Sequence, residues 1–257
     1  MKTTLATSSQ LSLFKIVNSG QCFRMTPHNN GFRVVSGNRC CFIWQLGIES
    51  MELQCESVDL SYWKEYFNLS FDYTCVINSI QHSNDMYLKQ AEVFSRGIRI
   101  LKQDKFETLI SFILSQRSSI PKIASMISNI SLVLGERFNG YNGFPEPKEI
   151  YDKMDKISSL GLGYRDKYII DASRQVLEKG IEYFNTVEKL KEIYGVGDKV
   201  ANCYMLFALN DYESFPIDVW IQRIIDTYYC GNFVLADDLI EYAGIVQQFM
   251  FYYERSK

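Results

Sequence analysis

The sequence IYGVGDKVANC at positions 193–203 decides the fold of this protein. A helical pattern stops at Gly195, and a second, apolar helical pattern begins soon after Gly197. Two glycines at this spacing suit a tight hairpin, because glycine adopts positive φ and allows close backbone approach. N–H groups at the start of the second helix form a phosphate site. The segment 187–209 therefore predicts a helix–hairpin–helix. A helical corner without a ligand is the alternative, since G-x-G alone is a weak motif.

The lysine that follows the hairpin is a candidate nucleophile. Lys199 lies in the first turn of its helix, where the positive end of the helix dipole disfavours an ammonium. Cys203 comes four residues later and shares that face of the helix. If this face lines a pocket, partial desolvation favours the neutral amine further. A neutral amine attacks electrophilic carbon. The alternative is a solvated lysine beside the phosphate site.

A candidate acidic partner lies in FPIDVW at positions 215–220. Asp218 opens the next helical pattern, so it is predicted to be an N-cap aspartate. It is also a candidate for a buried carboxylate directed at a reaction centre. The two interpretations are compatible, because a cap residue has a fixed position.

The charge pattern permits a local basic face on a protein that is not globally basic. The chain has 257 residues and a net charge of −3, and its length suggests one or two domains. Residues 89–122 hold seven basic and three acidic residues, whereas residues 205–257 hold three basic and eight acidic ones. Taken alone, the net charge of −3 argues against a nucleic-acid binder, which usually carries a basic surface. No apolar run reaches the ~18 residues that span a bilayer, and we expect no secretory signal at the N-terminus.

Cysteine and histidine usage argues against a metal site and against histidine chemistry. Seven cysteines occur, an odd number, without a C-x-x-C motif. This spacing disfavours both a disulfide framework and a zinc centre, and we expect reduced thiols in a cytosol-like compartment. Only two histidines are present, both in the N-terminal third.

The pattern changes from strands to helices near residue 85. Short apolar runs separated by turn residues predict an antiparallel meander before that point. The predicted strands are Cys22–Met25, Phe32–Val35, Cys40–Leu46 and Met51–Cys55. We therefore predict an α+β fold, with an antiparallel sheet domain (1–85) packed on an all-helical domain (86–257).

Helix signals are clear in the second part of the chain. Asp104 and Glu107 predict an N-cap with its capping-box partner. Ser119 and Pro121 suit the start of the next helix, and Gly135 suits its end. Further helices are predicted at 166–179, 187–194, 199–209, 219–229 and 238–253.

These features together resemble the helix–hairpin–helix DNA glycosylases, and most closely the 8-oxoguanine DNA glycosylase/AP lyase family. The similarity extends from about Ser19 to Phe251. The matching stretches are SGQCFR (19–24), GIRILKQD (97–104), NGFP (142–145), LGLGYR (160–165), the hairpin, and YAG (242–244) before Gln247. Several spaced matches in family order are more specific than any one of them. The resemblance implies a sheet domain packed on a helical body.

The resemblance also implies a reaction. The damaged base leaves the duplex stack. Lys199 attacks C1′ and forms a Schiff base, which β-elimination resolves, and Asp218 stabilises positive charge on the sugar. By resemblance the Gly20 carbonyl accepts a hydrogen bond from N7–H of 8-oxoguanine, which guanine lacks. The other residues implied to bind the base are Cys203 and Phe251 on its faces, Gln247 at its Watson–Crick edge, and Pro216. From the residues alone, Gly20 is equally a turn, and Phe251 and Gln247 are equally faces of a terminal helix.

A further set of residues is implied to contact DNA. Tyr164 matches the family's wedge, with a core aromatic as the alternative. Arg165 matches one residue that reads the base opposite the lesion. Arg117 and Lys122 stand where eukaryotic members have an asparagine and an arginine. The hairpin glycines Gly195 and Gly197 match the phosphate site, and Trp220 stands where the family has a histidine.

The expected partner is double-stranded DNA containing 8-oxoguanine, bound by a monomer that requires no cofactor. The resemblance leaves open a structural cation at the hairpin backbone. The expected location is cytoplasmic: at the nucleoid in a prokaryote, or the nucleus in a eukaryote. Two alternatives remain. One is a monofunctional glycosylase for alkylated bases, which needs no lysine at position 199. The other is a non-catalytic DNA-binding module.

Overall fold

A five-stranded antiparallel sheet forms the first part of the structure. The computed structural model describes residues 1–138 and 140–257. The strands occur in the order β1-β5-β4-β3-β2 across the sheet. Their bounds are β1 Lys2–Ala6, β2 Met25–His28, β3 Gly31–Ser36, β4 Arg39–Gly47 and β5 Ser50–Cys55. The α+β fold predicted from the sequence is confirmed, and so is the meander of β2 to β5.

Two details of the predicted sheet are wrong. The first predicted strand, Cys22–Met25, is displaced: β2 begins at Met25 and runs through Pro27 to His28. Proline is tolerated there because β2 is an edge strand. The turn that follows consists of Asn29 and Asn30, both at positive φ, as a two-residue hairpin requires. The strand β1, which pairs with β5 at the other edge, was not predicted from the sequence.

Thirteen α-helices occur among the described residues, and a short pair of strands joins two of them. The helices are α1 Leu13–Asn18, α2 Leu60–Tyr66, α3 Thr74–His82, α4 Met86–Ser95, α5 Lys105–Leu114, α6 Ile120–Leu134, α7 Pro147–Asp152, α8 Met154–Ser159, α9 Arg165–Lys179, α10 Val187–Leu190, α11 Asp198–Leu209, α12 Val219–Tyr228 and α13 Ala243–Arg255. The strand pair is β6 Arg137–Phe138 with β7 Tyr141–Asn142. Among residues 1–138 and 140–257, no helix is both long enough and apolar enough to cross a bilayer.

The later helices lie close to their predicted positions, with two differences. The helix before the hairpin ends at Leu190 rather than at residue 194. The last helix begins at Ala243, because residues Asp237–Tyr242 form a 3₁₀ helix. The sequence analysis did not identify α1 to α4, of which the first three lie within the predicted sheet domain.

Two apolar cores support the two parts of the chain. The sheet core includes Trp63 of α2, which is fully buried. The helical core includes Ile80 of α3, although α3 precedes residue 85. Leu101 follows that residue and packs in the sheet core instead. The domain boundary at residue 85 stays a prediction. Residues before it contribute to the helical core, and residues after it contribute to the sheet core.

The junction between sheet and helices contains a partly buried carboxyl group. Asp104 caps α5 as predicted, since its Oδ1 accepts from the Glu107 N–H at 2.9 Å. The Glu107 side chain does not complete the predicted capping box. It accepts instead from the Gly37 N–H at 2.7 Å and from Arg24 at 3.3 Å. Burial raises the pKa of Glu107 to about 7, against the opposing effect of Arg24.

This carboxyl group makes stability depend on pH. Between about pH 5 and pH 7 folded Glu107 keeps a proton that the unfolded chain has released, so the free energy of unfolding falls as pH rises through that window. Glu107→Gln should flatten this slope, measured by urea unfolding at several pH values. The exposed Glu188→Gln variant is the control. An unchanged slope in Glu107→Gln would contradict the assignment.

Candidate active site

A pocket of about 1020 Å³ opens between the loop after α1 and the helical part. Its walls come from the loop after α1, the α5–α6 connection, α11, the start of α12, and α13. It brings together nine residues predicted from the sequence: Gly20, Arg117, Lys199, Cys203, Pro216, Asp218, Trp220, Gln247 and Phe251. These residues are separated by up to 231 positions along the chain, so only folding assembles them.

The Lys199 amine is held inside this pocket and not in bulk water. Its Nζ donates to Ser115 Oγ at 2.7 Å and lies 5.1 Å from the centroid of the Phe112 ring. The Ser115 hydroxyl donates its own hydrogen to the Phe112 carbonyl at 2.7 Å. Its oxygen is therefore oriented to accept from the lysine. The end of α5 thus fixes the amine at the start of α11.

Asp218 occupies the same pocket and caps α12. Its Oδ1 accepts from the N–H groups of Trp220 and Ile221, each at 3.0 Å. The predicted N-cap is confirmed. These two bonds fix the carboxylate relative to α12, which leaves it directed at the pocket that also contains the Lys199 amine.

Cys203 is a neutral, buried wall of the pocket. Its side chain lies on the same face of α11 as Lys199, and only 4% of the residue is exposed. Burial raises the pKa of the thiol to about 11, although the nearby Lys199 charge opposes the shift. A thiol that stays protonated packs like a small apolar group.

Gly20 has the backbone geometry that a side chain would disturb. Its φ is +76°, in the region that favours glycine. A Cβ at this position would approach Ile120 Cδ1 at 3.0 Å and Phe251 Cε1 at 3.1 Å. The missing side chain therefore lets α6 and α13 pack directly on this turn. Phe251 lies beside Gly20 and faces the pocket.

Gln247 presents a polar atom that the protein leaves free. Its Nε2 donates to the Pro216 carbonyl at 3.1 Å, which fixes the orientation of the amide. Within residues 1–138 and 140–257 its buried Oε1 has no hydrogen-bond partner. An unpaired buried acceptor is unfavourable, so a donor from a ligand fits this position.

The hairpin is packed against an aromatic residue of α9. Gly195 has φ +83°, and a Cβ there would meet the Tyr168 ring at 2.4 Å. Its carbonyl accepts from Gln116 Nε2 at 3.2 Å, which ties the hairpin to the α5–α6 connection. Gly197 has φ −106° and open space around its Cβ position. The structure thus places Gly197 at the N-cap of α11, where a phosphate site is expected.

Arg165 does not lie on the exposed surface where its predicted DNA contact would form. Only 6% of the residue is exposed. Its guanidinium donates to the carbonyls of Leu162 and Gln116 and, more weakly, of Arg117. In this structure the side chain holds the turn that carries Arg117, and base reading by Arg165 stays a prediction.

The remaining predicted DNA contacts are accessible. Arg117 is exposed and has φ +50°, in the left-handed region that is unusual for a side-chain-bearing residue. Tyr164 is 43% exposed, and its hydroxyl donates to the Gln116 carbonyl at 3.3 Å. Lys122 is exposed on α6, outside the pocket. Trp220 lines the pocket and stacks under Arg223, whose guanidinium lies 4.9 Å from its ring centroid.

Sequence reasoning missed several residues of the pocket. Ser115, Gln116, Gln248 and Arg255 all line it. The spacing of Gln248 and Arg255 from Gln247 and Phe251 marks them as helix neighbours of predicted site residues. Nothing in the sequence indicated that Ser115 would meet Lys199, 84 residues away.

No metal cluster was found in the described part of the chain. No group of three or more His, Cys, Asp or Glu side chains there could hold an ion. Each of the seven cysteines, all of them described, is free. A cation at the hairpin would use backbone carbonyl oxygens, and that site stays a prediction.

Comparison with known proteins identifies this arrangement. A family model for the N-terminal domain of 8-oxoguanine DNA glycosylase matches residues 4–109. A solved complex of MBOgg1 with a low-affinity DNA ligand is 32% identical, covers 99% of this chain and 96% of that chain, and superposes with a TM-score of 0.90. The chain belongs to the 8-oxoguanine DNA glycosylase family. The family and the fold expected from the resemblance are thus confirmed.

Two further relatives of this glycosylase family member agree. The Clostridium acetobutylicum 8-oxoguanine glycosylase/lyase, solved with double-stranded DNA containing cytosine opposite 8-oxoG, is 30% identical. The match covers 96% of this chain and 93% of that one, with a TM-score of 0.86. A protein of Methanothermobacter thermautotrophicus named "Probable N-glycosylase/DNA lyase" is 30% identical over 69% of this chain. The chain spans 66% of that relative's length, about two thirds.

The two hairpin glycines provide a matched test of the local geometry. Gly195→Ala should destabilise the protein by about 2 kcal/mol or more, because it combines a left-handed φ with a clash against Tyr168. Gly197→Ala is the control, since its φ is ordinary and its Cβ meets open space. Thermal unfolding of both variants measures the difference. Equal melting temperatures would contradict the described hairpin.

Proposed function

We propose that this glycosylase family member removes 8-oxoguanine from duplex DNA in base-excision repair and then cuts the strand as an AP lyase. One observation carries the proposal: the Lys199 amine is fixed by Ser115 at 2.7 Å inside a pocket that also contains the Asp218 carboxylate. The pocket volume of about 1020 Å³ leaves room for a base and its sugar. A base reaches it only after leaving the stack.

Recognition of the lesion is assigned to four groups around the pocket. The Gly20 carbonyl accepts from N7–H, a donor that 8-oxoguanine has and guanine lacks. Guanine would present a second acceptor there, which is unfavourable. The neutral Cys203 thiol and the Phe251 ring contact the two faces of the base. The free Oε1 of Gln247 accepts from an N–H of the Watson–Crick edge, and the Pro216 carbonyl fixes its amide.

The chemistry follows from the positions of Lys199 and Asp218. The lysine nitrogen forms a bond to C1′ as the bond from C1′ to the base breaks, and the base leaves with the electron pair and gains a proton. The Asp218 carboxylate stabilises the positive charge that develops on the sugar. Ring opening gives an imine between Lys199 and C1′. Loss of a proton from C2′ then expels the 3′ phosphate, which is the β-elimination.

We assign the DNA contacts outside the pocket to exposed side chains and to the backbone of the hairpin. Tyr164 enters the stack beside the vacated position, and Arg117 and Lys122 approach the opposite strand. The N–H groups at Gly197 and the start of α11 bind a backbone phosphate. The mechanism asks for no cofactor. We further propose that the hairpin carbonyls can hold a cation and that the protein acts as a monomer. Its proposed location is cytoplasmic, at the nucleoid in a prokaryote, or nuclear in a eukaryote.

The alternatives make different demands on position 199. A monofunctional glycosylase for alkylated bases has no use for an amine held in the pocket, and it would release bases without cutting the strand. A non-catalytic DNA-binding module would bind regardless of lesions. The hydrogen bond from Lys199 to Ser115 favours the lyase, because it orients a nucleophile where a binding module needs none.

Imine trapping tests the proposed nucleophile. Borohydride should give a covalent complex with duplexes containing 8-oxoguanine but not with undamaged guanine. Lys199→Gln should abolish trapping and reduce excision by about 100-fold or more, since the covalent route is lost. The exposed Lys64→Gln variant on α2, outside the pocket, is the control and should still be trapped. Trapping that persists in Lys199→Gln would refute the assignment.

Preference for the opposite base should be weak. The chain has Arg117 and Lys122 where eukaryotic relatives have an asparagine and an arginine, and the Arg165 guanidinium is bound to backbone carbonyls. We expect excision opposite cytosine to exceed excision opposite adenine by no more than about tenfold, since no fixed bidentate reader faces that base. Single-turnover rates against all four opposite bases measure this. A ratio in the hundreds would contradict it.

A further inference from the structure

One face of α13 forms hydrogen bonds with the backbone just before Gly20. Gln248 Nε2 donates to the Ser19 carbonyl at 2.8 Å, and Arg255 Nη2 donates to the Asn18 carbonyl at 2.7 Å. The two side chains are seven residues apart, so they lie on the same face of the helix. Gln248 and Ser19 are almost completely buried. The position of Gly20 is therefore set by the last helix of the chain.

Arg255 retains a second donor that nothing uses. Its Nη1 is shielded from solvent and has no hydrogen-bond partner among the described residues. In that same part of the chain, no carboxylate forms an ion pair with its guanidinium. Burial accordingly lowers the pKa of Arg255. A buried N–H without an acceptor is unfavourable, so holding the loop alone does not explain an arginine here.

The unused donor lies where the base is expected to bind. Nη1 is 3.5 Å from the position that a Cβ of Gly20 would take. The guanidinium lies 5.6 Å from the Phe251 ring centroid, and Arg255 lines the pocket. The N7 edge of 8-oxoguanine carries a carbonyl oxygen on each side of N7–H. A guanidinium N–H is a suitable donor for either one.

We propose that Arg255 is a specificity-determining residue of this glycosylase. Its Nη2 holds the loop that carries Gly20, and its Nη1 donates to a carbonyl oxygen beside N7 of the flipped base. The inference rests on the proposed function and adds a charged donor to the neutral groups that read the lesion. Phe251 turns its ring onto the base and uncovers Nη1 as the lesion enters.

Gln248 offers a matched comparison for the loop-holding role. It bonds the neighbouring carbonyl but is a neutral amide, and its only described donor contact is with Ser19. Gln248→Met removes one loop hydrogen bond, and Arg255→Met removes one loop hydrogen bond together with the proposed donor to the base. Arg255→Lys keeps the charge but lacks the forked geometry that serves two acceptors.

The experiment measures single-turnover cleavage of two duplexes, one with 8-oxoguanine and one with an abasic site. On 8-oxoguanine, Arg255→Met should be slower than wild type by about 10- to 100-fold, as expected for a lost hydrogen bond to a charged donor. Gln248→Met should lose about threefold, and Arg255→Lys should fall between the two. On the abasic duplex, which has no base to read, the loss in Arg255→Met should be at least about five times smaller than on 8-oxoguanine.

Each other outcome overturns a specific statement. Equal losses in Arg255→Met and Gln248→Met, or equal losses on the two duplexes, would reduce Arg255 to a loop support. If Arg255→Met unfolds below the assay temperature, Arg255→Lys becomes the test variant. Cleavage of the 8-oxoguanine duplex by Arg255→Lys at the wild-type rate would overturn the inference. If wild type itself leaves 8-oxoguanine in place while it cuts abasic DNA, the proposed function fails instead.

Discussion

The position of the turn at Gly20 depends on the hydrogen bonds that hold the segment 18–21 between two distant parts of the chain. On one side α13 binds the carbonyls of Asn18 and Ser19 through Arg255 and Gln248. On the other side the buried Gln21 side chain accepts from the Leu101 N–H at 2.8 Å and donates to the Arg99 carbonyl at 3.0 Å. These polar groups are removed from water, so leaving any of them unpaired would be unfavourable. The loop that carries Gly20 is thereby fixed on the helical body.

The proposed chemistry also depends on groups whose positions are fixed by the fold. Helix ends supply the key groups: Ser115 follows α5, Lys199 opens α11, and Asp218 caps α12. A group at the end of a helix has a backbone position set by the packing of the whole helix. The amine and the carboxylate therefore need little reorganisation before reaction, which is the basis of electrostatic preorganisation.

Much of this arrangement was predictable from local sequence, and the failures have physical causes. Asp218 was assigned as a cap because a polar residue before an apolar helical pattern is a local signal. Glu107 also follows the local rule for a capping box, yet Gly37 and Arg24 bind it instead. In that case tertiary partners displaced the local one.

The sequence by itself determined the helix–hairpin–helix, the meander of β2 to β5, and the cap that Asp218 forms on α12. These features depend on residue spacing and on glycine and cap preferences, which act over a few residues. Tertiary structure alone decided that Ser115 meets Lys199 and that Arg255 meets the backbone beside Gly20. Those contacts join residues 84 and 237 positions apart. They form because burial of the two cores brings distant segments of the chain together. No local sequence pattern encodes a contact over such a separation.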